Sequence, residues 1–421
     1  MEQKPRTPVL ATLSGVPFIM VLGNSMLIPV LPDIKEALGL SQFKVSLLIT
    51  LFSIPAGITI PFAGFLSDRL GRKKIIAPAL VLYGLGGIAA GLAAVLFKEL
   101  AYPVILSGRI LQGIGAAGTA PIAMALAGDL FTGRERSTAL GILESANGLG
   151  KVVSPVLGSL LGLITWYAAF FFFPLAVIPV VLCLWLLIKE PRANRQAQSI
   201  GAYFHSLARV FEKKSAMLLT SFACGSAALL ILFGVLFFLS EHLETAFNLD
   251  GVRKGAALAV PVLFMCTSSY ITGRLLKRRT FLMKWLVVAG TAIIGGSLAL
   301  AALLPTTFLF FAAISLAGIG TGITLPCLNT IITSAVALER RGLVTSLYGS
   351  VRFLGVAAGP PLFGLLMGRG VPFMFWSAAL LAGAAALLAA FLIRVEDMQQ
   401  PSPSPRPVYA FPRKPWNPSE E

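Results

Sequence analysis

The chain has 421 residues, 56% of them hydrophobic and 12% charged, with a mean hydropathy of +0.84. So little charge cannot cover a soluble domain of this size, and the apolar residues come in blocks of about 20, the length that ~1.5 Å per residue needs to cross ~30 Å of hydrocarbon. The formal net charge of +16 would suit nucleic acid, but the basic residues sit in short links between apolar blocks, not along an arm or one amphipathic face, which argues against that partner.

In chain order the blocks predict twelve membrane spans, over 9–32, 43–64, 75–97, 101–127, 137–163, 166–188, 215–240, 254–274, 283–304, 306–334, 342–367 and 373–394. Several contain proline, such as Pro55, Pro61, Pro121 and Pro326, which a helix in a bundle tolerates because neighbouring helices satisfy the freed backbone groups. The first block is long and lacks a small-residue cleavage site, so it is expected to be a retained helix. Cys183, Cys224, Cys266 and Cys327 all fall inside apolar blocks without CxxC pairing, so neither a disulfide nor a metal site is expected. His205 and His242 fall in predicted loops.

Lys and Arg give the orientation. With the N-terminus inside, internal segments carry 25 of the 34 and external segments carry six: Lys35, Lys44, Lys98, Arg253, Lys254 and Arg369. Both termini are therefore expected in the cytoplasm and the chain in the plasma membrane. Between spans six and seven, Tyr203, Phe204, Leu207, Val210 and Phe211 form an apolar stripe at helical spacing, which predicts a helix lying on the inner membrane surface. From Pro401 onward the chain is proline-rich and expected to be disordered.

The two halves repeat. Gly113-Ile114-Gly115 recurs as Gly318-Ile319-Gly320, Pro121 as Pro326, Arg136 as Arg341, Gly150 as Gly355 and Pro155 as Pro360, every pair 205 residues apart. A duplicated six-helix unit explains an ungapped register of this kind, and such repeats build transporters whose substrate sites lie between the halves. The expected fold is all-α, with twelve transmembrane helices in two pseudo-symmetric six-helix bundles: residues 1–190, a linker 191–214, residues 215–395 and a tail 396–421.

Between spans two and three stands Gly64-Phe-Leu-Ser-Asp68-Arg69-Leu-Gly71-Arg72-Lys73-Lys74, a tight turn followed by a cationic cluster. It resembles the loop signature of the major facilitator superfamily. The resemblance implies that Gly64, Asp68, Arg69, Gly71 and Arg72 form a cytoplasmic latch that stabilises the outward-facing state. Asn24-Ser-Met-Leu-Ile-Pro29-Val-Leu-Pro32 in span one and Arg109-Ile-Leu-Gln112-Gly113-Ile-Gly115 in span four are similar to signatures of the twelve-helix drug/proton antiporters, which keep a membrane-embedded arginine associated with proton transfer at the place of Arg109. Span five holds Gly141-x8-Gly150-x3-Ser154-Pro155-x2-Gly158-Ser159, with the spacing of the antiporter motif but serine where that family usually has glycine. The second half departs from the first, because Lys277 stands where the first half has Asp68, so a symmetric pair of acid latches is not expected.

Ionisable residues inside a membrane are costly enough to point to function. Glu144 is the one carboxylate well inside any predicted span, and Glu144, Asn147, Gly148 and Lys151 share one helical face. Two readings stay open: a static salt-bridge cluster, or a proton carrier in which Glu144 takes and releases a proton while Arg109 supplies the competing counter-charge. Lys151, Arg352, Asn147, Asn24 and Gln112 are the expected cavity residues, with Met26, Phe233, Phe237, Phe264 and Tyr348 as candidate apolar lining, although each taken singly more often faces lipid or packs between helices. Arg109, Lys151 and Arg352 against Glu144 give the expected cavity a formal charge of +2, which leans toward anionic, zwitterionic or neutral cargo. The expected function is proton-coupled efflux of small amphipathic compounds by alternating access, by a monomer without cofactor. The alternatives are dedicated export of an anionic metabolite such as a siderophore, or flipping of a lipid-linked compound. A membrane-embedded enzyme is disfavoured, since the sequence has no HExxH, no histidine within a predicted span and no clustered aspartates.

Overall fold

The structure is a computed structural model that describes residues 6–97, 99–131, 133–190, 200–275, 280–304, 308–336 and 341–394. Fourteen α-helices make twelve crossings: α1 (Arg6–Ser25) with α2 (Leu31–Ala37), α3 (Gln42–Leu70), α4 (Arg72–Leu96), α5 (Ala101–Ala117) with α6 (Ala120–Leu130), α7 (Gly133–Gly162), α8 (Ala168–Leu187), α9 (Ile200–Phe247), α10 (Gly251–Leu275), α11 (Thr280–Leu303), α12 (Phe308–Ser334), α13 (Arg341–Met367) and α14 (Val371–Leu392). The described residues contain no strand. An even number of crossings returns the chain to the face where it began, here called the terminal face.

Eleven crossings are long and apolar enough to span a membrane on composition alone. The twelfth, α7, has 30 residues and matches them in length, but Glu144, Asn147 and Lys151 dilute its apolar character.

The repeat seen in the sequence is a repeat of packing. A side chain added at Gly113 would strike the backbone of α3 at Phe52, and one at Gly318 would strike the backbone of α10 at Pro261. Gly115 faces Ala79 of α4 just as Gly320 faces Gly290 of α11, and Gly150 meets Phe18 of α1 just as Gly355 meets Ser226 of α9. Each glycine pair thus keeps two backbones close at equivalent places in two six-helix bundles. The bundles meet along α3 against α13 and α7 against α10.

The first half breaks where the second runs on. Gly118 and Thr119 end α5, with tight turns from the Gly118 amide to Gly115 O (3.1 Å) and from the Thr119 amide to Ala116 O (3.2 Å). In the second half Pro326 sits inside an unbroken α12, and Ile323 occupies the place of Gly118. Proline removes one ladder donor in both halves, but only the glycine gives the backbone freedom to separate there.

Two expectations change. Residues 200–214 do not form a separate surface helix: they continue into the seventh crossing as one 48-residue helix. That helix also runs on to Phe247, so His205 and His242 are helical, and the His242 ring stacks on Phe238 at 4.9 Å. The stripe from Tyr203 to Phe211, the linker residues 191–199, Lys277 and the tail 396–421 lie outside the described side chains.

Candidate functional site

The halves close against each other at the face opposite the termini. Lys35 Nζ on α2 pairs with Glu241 Oε1 on α9 at 2.6 Å, the one ion pair joining the two halves among the described residues. Ser240 Oγ donates to Ile28 O at 2.7 Å. Nearer mid-depth, Thr50 Oγ1 donates to Ala357 O at 2.7 Å and Ser350 Oγ donates to Gly57 O. Toward the terminal face α3 and α13 stay in contact at Gly64 and Ser346, while Glu144 and Ser145 on α7 are exposed. The face opposite the termini is shut.

At mid-depth the expected site residues separate into two groups. The first is sealed within the N-terminal half. Arg109 is fully buried on α5; its Nε donates to Leu48 O (2.8 Å), Nη1 to Gln112 Oε1 (2.7 Å) and Nη2 to Asn24 Oδ1 (2.9 Å). Asn24 Nδ2 in turn donates to Ser53 Oγ at 2.7 Å, and the guanidinium lies 4.5 Å from the Phe52 ring centroid. Every partner is neutral. Planar, multi-donor arginine suits this task, tying α1, α3 and α5 together without a counter-ion. Asn24 and Gln112 therefore belong to this knot rather than to an open cavity.

The second group lies between the halves. Lys151, half-buried near the middle of α7, has Glu144, Cys266 and Arg352 close enough to act on it electrostatically. Asn147 is half-buried one turn away on the same α7 face, and Cys266 Sγ on α10 donates to Gly148 O at 3.5 Å across the boundary. Arg352, half-buried on α13, leans over the Tyr348 ring at 5.3 Å, and its Nε is buried without an acceptor. Neither cation is in an ion pair among the described residues. With Arg109 sealed elsewhere, the cluster of Lys151, Arg352 and Glu144 carries a formal +1, not the +2 expected from sequence.

The candidate lining residues mostly do something else. Met26, Phe237 and Tyr348 are packed in the interior of the bundles, while Phe264 is exposed. In the span-five motif, Gly150 fits α7 against the backbone of α1 at Phe18, and Gly158 fits it against the backbone just past the end of α1 at Met26. Ser154 replaces a glycine at no steric cost, because its Oγ turns back to donate to Gly150 O at 2.6 Å. Pro155 and Ser159 meet Gly255 of α10, and Gly141 touches nothing in this conformation.

The loop expected to act as a latch is a tight turn between α3 and α4. Gly71 ends α3 with φ +122°, a backbone angle that favours glycine. Arg72 pairs with Asp68 at 2.5 Å and Asp129 at 3.1 Å, while the Asp68 side chain stays 60% exposed and Arg69 is exposed. Gly64 faces Ser346 of α13.

The sequence model of the Major Facilitator Superfamily matches residues 13–360 and again 284–418. The chain belongs to that superfamily. It is a multi-pass membrane protein and a secondary active transporter that works by efflux, as the expected function had it. The chain is 42% identical over 383 residues to the "Bacillibactin exporter" of Bacillus subtilis (strain 168), covering 90% of this chain and 94% of that one. It is 28% identical to "Multidrug resistance protein 2" of the same organism, over 91% and 94% of the two chains. Among solved structures, a bacterial homolog of the human lysosomal transporter Spinster, inward-facing and occupied, superposes with a TM-score of 0.75 at 20% identity, over 96% of this chain and all of that one. The human organic anion transporter MFSD10 gives 0.70 at 18% identity, over 92% and 100%. These structures share the fold of two six-helix bundles.

Proposed function

We propose that this superfamily member is a proton-coupled exporter whose central site takes a small amphipathic compound with an anionic group. The observation that carries this reading is that Lys151 and Arg352, from opposite halves, lie within electrostatic reach of each other and of Glu144, neither in an ion pair among the described residues and Arg352 Nε lacking an acceptor. Two partly buried cations within electrostatic reach of each other are unfavourable, and an anion bound near them offsets both the repulsion and the lost hydration. Glu144 stands two turns from Lys151 on α7 with its side chain exposed, and on this reading it trades a proton with the terminal side. The excess of Lys and Arg supports a cytoplasmic terminal face, and with the opposite face shut the described conformation is the one we assign to cargo loading.

A narrower reading, dedicated export of a siderophore, is favoured by 42% identity to the bacillibactin exporter along nearly the whole of both chains. Comparing extracellular metabolites of deletion and overexpressing cells separates the two. One anionic compound lost from the medium on deletion supports a dedicated exporter, and unchanged medium with a broad rise in drug sensitivity supports a polyspecific one.

A further inference from the structure

The start of α4 is capped from a distance. Helix α4 follows Gly71, which has no side chain to satisfy the first free amides, and helix N-termini need such a partner. The carboxylate of Glu190, three residues beyond the end of α8, fills that role. Its Oε1 accepts from the Arg72 amide at 2.7 Å and its Oε2 from the Lys73 amide at 3.2 Å. A side chain on residue 71 would put a carbon 2.9 Å from Glu190 Oε2, so glycine is needed there for room as well as for its φ.

The clasp is reciprocal. Lys73 Nζ reaches back to the end of α8, donating to Trp185 O (2.9 Å) and Ile188 O (2.7 Å), and lies 4.8 Å from the Trp185 ring centroid. An anion thus sits on the positive end of one helix dipole and a cation on the negative end of the other. With its backbone held by Glu190, Arg72 directs its guanidinium to Asp68, Asp129 and Ser67 Oγ. Glu190 is also the last described residue before the segment that leads to the second half.

We propose that Glu190 is the positioning residue of the latch: its carboxylate fixes the first turn of α4, so that Arg72 is shared between Asp68 and Asp129 and the terminal face switches at its proper rate. The proposal rests on the latch reading of Asp68 and reaches one residue beyond it. Glu190 touches no cargo, so its loss alters the balance of conformations and the turnover rate, not cargo affinity.

The test uses the full chain in liposomes with spin labels at Ser145→Cys on α7 and Gly273→Cys on α10, otherwise free of cysteine. The distance distribution between the labels is compared for the otherwise unmodified protein, Glu190→Gln, Lys73→Met, Asp68→Asn and the double variant Glu190→Gln with Asp68→Asn. The expected result is a change of about threefold in the ratio of open to closed populations for Glu190→Gln, the size of one charge at a helix end. Lys73→Met shifts the ratio the same way by less, and the double variant shifts it no further than Asp68→Asn alone. A distribution unchanged by Glu190→Gln overturns the proposal, as do shifts that add in the double variant. If Glu190→Gln fails to fold, Lys73→Met alone decides: an unchanged distribution sinks the idea, and a shift absent from the Asp68→Asn background sustains it. If Asp68→Asn itself shifts nothing, the latch reading fails, whatever Glu190 does.

Discussion

Two places in this membrane protein bury positive charge at mid-depth, and they treat it in opposite ways. Around Arg109 three neutral acceptors and an aromatic face are already in position, all from the N-terminal half, and the guanidinium has no access to the boundary between the halves. Around Lys151 and Arg352 the charges come from different halves, repel each other and leave a donor without an acceptor. On the proposed function the same chemical type is structural in one place and receptive in the other. The difference lies in whether the fold supplies the acceptors itself or leaves them for a cargo to bring.

The largest effect that would sharpen this contrast is on Arg109. Arg109→Met leaves Leu48 O, Asn24 Oδ1 and Gln112 Oε1 without their donor in a region water does not reach, which costs on the order of 3 kcal/mol. The expected outcome is a protein that melts well below the parent, with reduced yield, in thermal unfolding of the detergent-solubilised chain. A variant that folds normally but no longer binds an anionic probe would move Arg109 from the structural group to the receptive one.

Next comes Glu144→Gln. Accumulation driven by a proton gradient should be lost in proteoliposomes, with downhill exchange retained. Affinity for an anionic probe should rise a few-fold, because the carboxylate no longer competes for Lys151. Continued uphill transport by this variant would leave Glu144 with a merely electrostatic role. A smaller effect is expected at the latch, where Asp68→Asn slows transport or biases the resting state inward, while Lys277→Asn changes little. Label distances across the terminal face check this, and equal effects of the two substitutions would contradict a one-sided latch.

How much of this was legible beforehand follows the range of each signal. Hydropathy gave the crossings because membrane thickness sets their length, and the 205-residue register gave the two bundles because each repeated glycine preserves a close backbone approach. The grouping of the charges was not legible. Helical spacing placed Glu144, Asn147 and Lys151 on one face correctly, but nothing in the spacing says which face of α5 turns inward, so Arg109, Asn24 and Gln112 were expected in the cavity that the fold keeps them from. Met26, Phe237 and Tyr348 turned out to pack within the bundles, the commoner fate of an aromatic or thioether side chain, which suits a packed core as well as a binding wall. Glu190 gave no signal at all: it caps amides 118 and 117 residues away, and no local pattern marks a carboxylate that completes a distant helix.

The contrast between the two cation groups is tested most directly by equilibrium binding of a matched pair of aromatic probes, naphthalene-2-sulfonate and naphthyl-2-trimethylammonium, to the purified parent protein, Lys151→Met and Arg352→Met. The account predicts that the parent binds the sulfonate more tightly than the ammonium. Each substitution should then weaken the sulfonate by about tenfold, the equivalent of ~1.4 kcal/mol, without weakening the ammonium. Tighter binding of the ammonium by the parent, with sulfonate affinity indifferent to both substitutions, would show that Lys151 and Arg352 are as structural as Arg109.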